Sequence, residues 1–419
     1  MKFDAADIRQ AYDQAKKIYA GYGVDTDAVL KKFKTVPISV HCWQGDDVAG
    51  FEKCDVATQN VVTGNHPGKA RTPAELRQDI EKVLSFSPLK HKVNIHAVYG
   101  DKGLSIDRDK IKVEDYAEWI DWAKKNGVGM DFNATFFAHE NMTHDMSLSN
   151  PDEKIRRYWV EHAKASRKVA YEIGKALGQP CVNNLWIPDG FKDNPASRLK
   201  YRKLLKESLD EIFEVKYDRK YLVDALEGKL FGIGTECYVT GSQDFYLAYA
   251  AKNGTGICLD SGHYHPTEVV SDKLSALSLF FDDILLHVSR GVRWDSDHVV
   301  IQSDELQNIF TEIKRADIFD KVHIGLDYFD ASINRIVAWS VGLRAAGRCL
   351  LNALLEPTAL IEKAEDEWNL SARLALSEEF KNLPSLAVWN MACLESGVPV
   401  GTEWIDEAAV YEAEVTSKR

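Results

Sequence analysis

Short apolar, β-branched runs alternate along the chain with longer segments whose apolar residues recur at helical spacing. Runs of this kind predict buried strands, and the segments between them predict amphipathic helices. Strands that alternate with helices pair in parallel through crossover connections. Eight such runs are present, at Pro37 to Cys42, Lys92 to Tyr99, Val128 to Asn133, Pro180 to Ile187, Tyr221 to Glu227, Gly256 to Asp260, Ile284 to Ser289 and Val322 to Asp327.

The predicted helices carry recognisable start and stop signals. Thr72 to Glu75 (TPAE) combines a capping threonine, a proline at the first helical position and a capping-box glutamate. Asn150-Pro151 predicts the start of another helix, which runs to Gly178, where glycine can adopt the left-handed conformation that ends it. Residues 304–318 and 333–355 predict the last two crossover helices.

The number and order of these units predict a (β/α)8 TIM barrel. A doubly wound sheet is less favoured, because no glycine-rich dinucleotide-binding turn follows an early strand. The catalytic barrel is expected to span residues 37–355. Residues 1–36 are then an N-terminal helical arm and residues 356–419 a C-terminal helical extension, which pack on the barrel or on a neighbouring subunit.

Metal-ligand residue types stand at the end of each of the last four predicted strands. In a barrel these ends form the active face, because the βα loops lie there. We therefore expect one cleft to collect the carboxylates and imidazoles of Glu227, Asp260, His263, His287, Asp295, Asp297 and Asp327.

Five carboxylates in one cleft need compensation. Like charges about 4 Å apart cost roughly 1–4 kcal/mol per pair at effective dielectrics between those of water and protein. Either several carboxyls are protonated or cations occupy the cleft, and two divalent ions would supply four positive charges. Oxygen ligands with one or two histidines suit Mn²⁺, Mg²⁺, Co²⁺ or Zn²⁺.

Each of these motifs has a plainer explanation when it is taken alone. The Asp295-x-Asp297 spacing can chelate one ion but is also typical of a solvated acidic loop. His287 is equally compatible with a hydrogen-bonded core histidine, and only His263 of the His263-x-His265 pair needs to be a ligand. The joint placement of the residues favours a metal site.

Three further residues fall where a substrate would bind. Lys229 lies two residues beyond Glu227 and so points the same way in a strand, where it meets a substrate oxygen or neutralises the carboxylates. His96 and Trp186 stand near the ends of the second and fourth runs, although each alone would more often serve structural packing.

The long, glycine-rich connection from Trp43 to Arg71 is a candidate lid over the cleft, since loops of this length are usually functional or disordered. Its GNHPGKA segment has neither the glycine spacing nor the Ser/Thr of a phosphate-binding loop, so we exclude nucleotide binding there.

Composition narrows the functional classes. The 419 residues carry 52 Lys+Arg against 64 Asp+Glu, a formal charge of −12 that argues against nucleic-acid partners. The seven cysteines form no C-x-x-C pair, which favours a reducing compartment over a disulfide framework. The N-terminus has no apolar signal region, and no run approaches the roughly 18 apolar residues of a membrane span. These features predict a cytoplasmic protein without a membrane partner.

Several long strings resemble the L-rhamnose isomerase family. They are HCWQGDD, VTGNHPGKAR, NLWIPDG, CLDSGHYHPTE, LHVSRGVRWDSDHVV and HIGLDYFDASINR, and the resemblance extends from the N-terminal helix to the C-terminal helices. It implies a (β/α)8 barrel of the xylose-isomerase-like type that interconverts L-rhamnose and L-rhamnulose. It also implies a homotetramer that depends on Mn²⁺, with two divalent ions per subunit.

The resemblance further implies a division of the site residues. Glu227, Asp260, His287 and Asp327 match the family's structural metal site, whereas His263, Asp295 and Asp297 match its catalytic one. Lys229, His96 and Trp186 match substrate-contact positions.

For the reaction we hypothesise a metal-assisted hydride shift between C1 and C2 of the sugar. Asp327, or a water activated by a metal, would move the proton between O1 and O2, and His96 would assist ring opening. A proton-transfer enediol route and a preference for a related aldose such as L-lyxose or L-mannose are the closest alternatives. A metal-dependent hydrolase is disfavoured, because the first strand (PISVHCW) supplies one histidine where such enzymes usually have an H-x-H pair. The remaining alternative is a sugar-binding protein without catalytic activity.

Overall fold

The computed structural model describes residues 3–52, 64–101, 107–232 and 234–419, without the side chains of 294–296. Its centre is a closed barrel of eight parallel strands. The barrel strands are β1 (Pro37–His41), β2 (Lys90–His96), β3 (Gly129–Asn133), β4 (Cys181–Trp186), β6 (Leu222–Glu227), β8 (Gly256–Asp260), β9 (Ile284–Val288) and β12 (Val322–Leu326). All eight predicted strands are therefore confirmed, and so is the barrel.

Helices surround the barrel, one after each of its strands. They are α3 (Pro73–Leu84), α4 (Ala117–Asn126), α5 (Glu153–Leu177), α6 (Arg198–Ile212), α7 (Gln243–Asn253), α8 (Ser271–Ser278), α9 (Asp304–Arg315) and α10 (Arg335–Leu355). In the described part of the chain, two α-helices precede the barrel, α1 (Ala5–Gly21) and α2 (Thr26–Phe33), and four follow it, α11 (Thr358–Asp366), α12 (Leu370–Glu379), α13 (Ser385–Glu395) and α14 (Glu403–Glu414). Among the described residues, no helix has the length and apolar character needed to cross a bilayer.

The start and stop signals predicted for helices α3 and α5 are present in the structure, with small differences in which residues form the caps. Thr72 caps α3 by accepting the Glu75 N–H at 3.2 Å, as expected, but the Glu75 carboxylate binds the backbone N–H and guanidinium of Arg71 instead of closing a capping box. Helix α5 starts two residues later than predicted. Asp152 is its cap, because Asn150 uses its side chain to bind the Asp152 N–H in the preceding turn. Gly178 ends α5 with a φ of 68°, as predicted.

Two short antiparallel pairs lie outside the barrel. One joins β5 (Gly190–Phe191) to β7 (Tyr238–Val239), and the other is a hairpin of β10 (Arg290–Val292) and β11 (Trp294–His298). The hairpin turns at Arg293, whose φ is 73°. It follows β9 directly and therefore stands at the carboxyl end of the barrel.

One side of the barrel interior is apolar below its carboxyl rim. Inward residues of four neighbouring strands pack there in a small buried cluster of Val182, Val223, Ala225, Cys258 and Leu285. Filled interiors of this kind exclude water from the lower barrel. The opposite side, on β2 and β3, holds the buried ion pair of Lys92 and Asp131.

Candidate metal centre

The carboxyl ends of four neighbouring strands place four ligand-type residues side by side. Glu227 and Asp260 are the last residues of β6 and β8, His287 is the fourth residue of β9, and Asp327 follows β12. The strand register pairs Asp260 with His287. The parallel barrel thus brings together residues that are as much as 100 positions apart in the chain.

His287 lies at the centre of this group. Its Nδ1 is 3.1 Å from Glu227 Oε2, 3.0 Å from Asp327 Oδ2 and 4.0 Å from Asp260 Oδ2. Adjacent ligands of an octahedral ion bound at about 2.1 Å lie about 3 Å apart, so these separations suit a shared cation. One ligand atom from each of the four residues lies within 4.8 Å of the others.

A second group shares Asp260 with the first. Ligand atoms of Asp260, His263 and Asp297 also lie within 4.8 Å of one another. His263 Nδ1 is 2.9 Å from Glu227 Oε1 and 3.8 Å from Asp260 Oδ2. Asp297 reaches this group from the β10–β11 hairpin, whereas the side chain of Asp295, the other predicted ligand of the hairpin, lies outside the described residues.

Burial and charge perturb the pKa values of five cluster members, Glu227, Asp260, His263, His287 and Asp327. Burial alone would raise the pKa of Glu227, but His287 and His263 outweigh it and hold that pKa well below its usual value. Burial raises the pKa of Asp260 well above its usual value, helped by the charges of Glu227 and Asp327. His263 is also buried, yet Asp260 and Glu227 raise its pKa to about 10. Protonated imidazoles thus neutralise carboxylates that a divalent cation would otherwise neutralise.

The residues fit a metal ion by their hydrogen bonding as well. Asp260 Oδ2 is buried and has no hydrogen-bond partner among the described residues. A buried carboxylate oxygen is normally hydrogen-bonded or bound to a metal, because an unsatisfied one costs free energy. The other oxygen, Oδ1, accepts the Gly262 N–H at 2.6 Å, which fixes the orientation of the carboxylate.

The predicted substrate residues lie on the same rim. The Trp186 ring stacks on His263, with centroids 6.2 Å apart, and Lys229 Nζ is 5.0 Å from the Trp186 ring. His96 Nδ1 is 3.2 Å from Thr135 Oγ1, and burial lowers the pKa of His96 to about 4. His96 is therefore a neutral, oriented imidazole at the edge of the cleft.

Sequence reasoning missed two residues that hold this cluster. Trp43 Nε1 donates to Asp327 Oδ1 at 3.1 Å, and its ring centroid is 4.9 Å from that of His96. Asn184 Nδ2 donates to Glu227 Oε2. Asn184 precedes Trp186 by two positions in β4, so strand alternation could have revealed it. Trp43 carried no such signal, because it begins a 3-10 helix of only three residues after β1 (Trp43–Gly45).

The predicted lid lies partly outside the described residues. Of the segment from Trp43 to Arg71, positions 53–63 are not described, so the lid stays a prediction. The two ends of the segment are anchored on α10, where Arg335 binds Asp47 with two hydrogen bonds of 2.8 Å and donates to the carbonyl of His66 at 2.6 Å.

The closed parallel barrel and the acid–histidine cluster at the carboxyl ends of its strands define the class, a (β/α)8 barrel with a candidate metal centre. Residues 6–419 match the family model described as L-rhamnose isomerase (RhaA). The chain belongs to the L-rhamnose isomerase family, a family of aldose–ketose isomerases, and the predictions of this family and of an enzyme are confirmed.

Individual relatives agree with the family match. The chain is 52% identical over 414 residues to an L-rhamnose isomerase of Mannheimia succiniciproducens, covering 98% of this chain and 99% of the relative. It is 50% identical over 417 residues to one of Rhodopirellula baltica, covering 99% and 98%. Among solved structures, a D-allulose 3-epimerase of Methylomonas sp. matches with a TM-score of 0.47 and 13% identity, over 77% of this chain and 98% of that one.

Proposed function

We propose that this chain interconverts L-rhamnose and L-rhamnulose in a metal-dependent isomerisation. The observation that carries the proposal is the coincidence of two findings. The family match covers nearly the whole chain, and the strand ends of the barrel gather a buried ligand cluster of the kind that this chemistry requires. The open-chain forms of L-rhamnose and L-rhamnulose differ only in whether C1 or C2 bears the carbonyl group. The site must therefore act on the two neighbouring oxygens, O1 and O2.

Two divalent ions, with Mn²⁺ as the expected metal, complete the proposed site. Glu227, Asp260, His287 and Asp327 would hold the first, and His263, Asp295 and Asp297, with Asp260 nearby, the second. When bound, such ions polarise the sugar oxygens and stabilise negative charge on them. The oxygen-rich donor set with two imidazoles supports a hard or borderline cation.

Asp327 is the group that we propose to carry the proton between O1 and O2. Its side chain is 18% exposed, whereas those of Glu227 and His287 are 2% exposed, so Asp327 has better access to the cleft than either of these two. Burial opposes ionisation, but His287 outweighs it and lowers the pKa of Asp327. The carboxylate is thus ionised, which is the form that can take up a proton, and its low pKa favours passing that proton on to the second oxygen.

His96, Trp186 and Lys229 are the proposed substrate contacts. Asn133 Nδ2 donates to His96 Nε2 at 3.3 Å, so Nδ1 carries the proton and donates to Thr135. The lone pair of Nε2 is then held by Asn133, so a sugar hydroxyl that uses His96 during ring opening would take the place of the Asn133 amide. Trp186 supplies an apolar face for the sugar, and Lys229 supplies a cation beside it that can stabilise a developing oxyanion.

The transfer between C1 and C2 is proposed to be a hydride shift. L-rhamnose labelled with deuterium at C2 tests this step directly. A hydride shift carries the label to C1 of the ketose, while a proton-transfer enediol route releases it to solvent. Complete washout of the label during turnover would reject the hydride shift and leave the isomerisation itself standing.

The isomerisation is tested by turnover of metal-stripped protein that is reconstituted one ion at a time. We expect ketose formation from L-rhamnose with Mn²⁺ and its loss on chelation. L-lyxose and L-mannose serve as the closest competing substrates. The proposal fails if reconstituted, folded protein forms no ketose from any of the three sugars.

The homotetramer and the cytoplasmic location stay predictions. Light scattering on the purified protein, coupled to size-exclusion chromatography, measures the subunit number. Fractionation of the source cells measures the location.

A further inference from the structure

One thiol stands against the metal cluster and has no part in the proposed reaction. Cys258 is buried in β8, two positions before Asp260, so both side chains point into the barrel. The register places Cys258 opposite Glu227 of β6. Cys258 is therefore the residue at which the apolar interior meets the polar rim.

The geometry around Cys258 is that of a coordination set. Its Sγ is 3.8 Å from Glu227 Oε2, and ligand atoms of Glu227, Cys258 and His287 all lie within 4.8 Å of one another. A tetrahedral zinc-type ion with a metal–sulfur distance of about 2.3 Å and a metal–oxygen distance of about 2.0 Å holds its sulfur and oxygen about 3.5 Å apart. The corresponding nitrogen–oxygen separation is about 3.3 Å, and His287 Nδ1 lies 3.1 Å from Glu227 Oε2.

A second observation also points to a ligand. His287 Nδ1, the nitrogen that lies against Glu227, is buried and makes no hydrogen bond among the described residues. Buried imidazole nitrogens are normally satisfied, so an unsatisfied one beside a thiol and a carboxylate indicates a place where an ion can bind. A cysteine that only filled space would need none of these neighbours, since a buried thiol otherwise behaves as a small hydrophobic group.

We propose that Glu227, Cys258 and His287 form a second coordination set, selective for thiophilic divalent ions such as Cd²⁺ and Zn²⁺. This set overlaps the oxygen-rich set of Glu227, Asp260, His287 and Asp327 through two shared residues. Softness of the cation decides between them, because thiolate favours soft ions and carboxylates favour hard ones. The thiol releases its proton to solvent when its sulfur coordinates the ion.

A consequence of the shared residues is competition. An ion held by Cys258 occupies Glu227 and His287, so both sets cannot be filled at once. Thiophilic ions should therefore displace the Mn²⁺ that the oxygen-rich set holds, because they withdraw two of its ligands, Glu227 and His287.

Spectroscopy on the full-length, metal-stripped protein tests this set without any turnover. Titration with Cd²⁺ should produce a thiolate-to-cadmium charge-transfer band in the ultraviolet that saturates at one equivalent. The variants Cys258→Ser and Cys258→Ala should lose the band. Two variants guard against a folding failure, and circular dichroism confirms that each remains folded. A Cys54→Ser/Cys237→Ser variant is the matched control, because Cys237 is an exposed thiol and Cys54 lies outside the described residues.

The competition is measured separately, from the free Mn²⁺ signal in electron paramagnetic resonance. Loss of a residue that only hydrogen-bonds to a metal ligand lowers metal affinity about tenfold or more. Cys258 would itself be a ligand, so its replacement should raise the Cd²⁺ concentration needed to release Mn²⁺ by at least about tenfold. The proposal is overturned if the parent protein shows no thiolate band, or if the band survives in a folded Cys258→Ala variant. Neither result depends on whether the protein isomerises L-rhamnose, so the two proposals fail independently.

Discussion

Replacement of Trp43 by phenylalanine removes one hydrogen bond from the centre and keeps an aromatic ring beside His96. The lost bond joins Trp43 Nε1 to Asp327 Oδ1 at 3.1 Å. A hydrogen bond to a charged acceptor contributes about 1.5–3 kcal/mol. Because Asp327 is partly exposed and can recruit water in its place, we expect the lower end of this range. About 1.4 kcal/mol corresponds to a tenfold lower kcat if Asp327 moves the proton.

The assay is steady-state conversion of L-rhamnose at saturating Mn²⁺, which separates kcat from KM. Trp122→Phe is the matched control, since Trp122 Nε1 makes a similar bond to Glu81 Oε1 at 2.7 Å in the helical layer, away from the rim. Both variants should lose some stability, but only Trp43→Phe should lose kcat. A Trp43→Phe enzyme that keeps its kcat within about twofold of the parent would refute the positioning of Asp327 by Trp43.

Three further predictions concern stability, pH and metal. Lys92→Met should lower the free energy of unfolding by about 3–5 kcal/mol in urea titrations, because it leaves the buried carboxylate of Asp131 without its ion-pair partner. The control Lys16→Met breaks the exposed pair with Asp27 and should change the free energy of unfolding little. Burial raises the pKa of Asp46 from 3.8 to about 7. Between these pH values the folded state holds a proton that the unfolded state has released. The free energy of unfolding should therefore fall by roughly 4 kcal/mol at most as the pH rises from 4 to 7. The Asp46→Asn variant should lack this contribution, so its urea midpoint should fall less than that of the parent over the same pH range. An equal fall in both proteins would contradict the attribution of this pH dependence to Asp46. Calorimetry on the metal-stripped protein should show that Mn²⁺ at about 100 times its dissociation constant raises the free energy of unfolding by about 2.7 kcal/mol. If Mn²⁺ does not raise the unfolding temperature, the folded state does not bind the ion.

The strands and their carboxyl ends were predictable from local patterns. A buried strand in a barrel has an apolar run bounded by polar residues, and the polar residue at its end is fixed on the rim by the direction of the chain. Glu227, Asp260 and Asp327 could be placed on one rim for this reason, although they are far apart in sequence.

What the sequence did not reveal depends on contacts between distant irregular segments. The bond between Trp43 and Asp327 joins residues 284 positions apart, and no periodicity marks a residue in the turn after β1. Cys258 is one of seven cysteines in the sequence, and composition carries no information on which side chains each of them contacts. The β10–β11 hairpin was likewise not predicted, since its first strand has only three residues.

The seam at which the barrel closes is also where its centre is completed. Strands β1 and β12 share two register pairs, Ile38 with Ile324 and Ser39 with Gly325, fewer than the five that join β1 to β2. Side chains above the seam supply further bonds. The Gln44 amide both donates to the carbonyl of Asp330 at 2.8 Å and accepts its N–H at 2.7 Å.

Trp43 precedes Gln44 and binds Asp327 across the same seam, so the bonds that seal the barrel also orient the proposed proton carrier. Opening of this seam would separate Asp327 from Trp43, because Trp43 follows β1. It would leave β12 paired with β9, so Asp327 would stay beside His287, with Glu227 and Asp260 on the strands beyond. Weakening the seam should therefore impair proton transfer before it abolishes metal binding, because three of the four ligands in the oxygen-rich set lie on the far side of β12 from the seam.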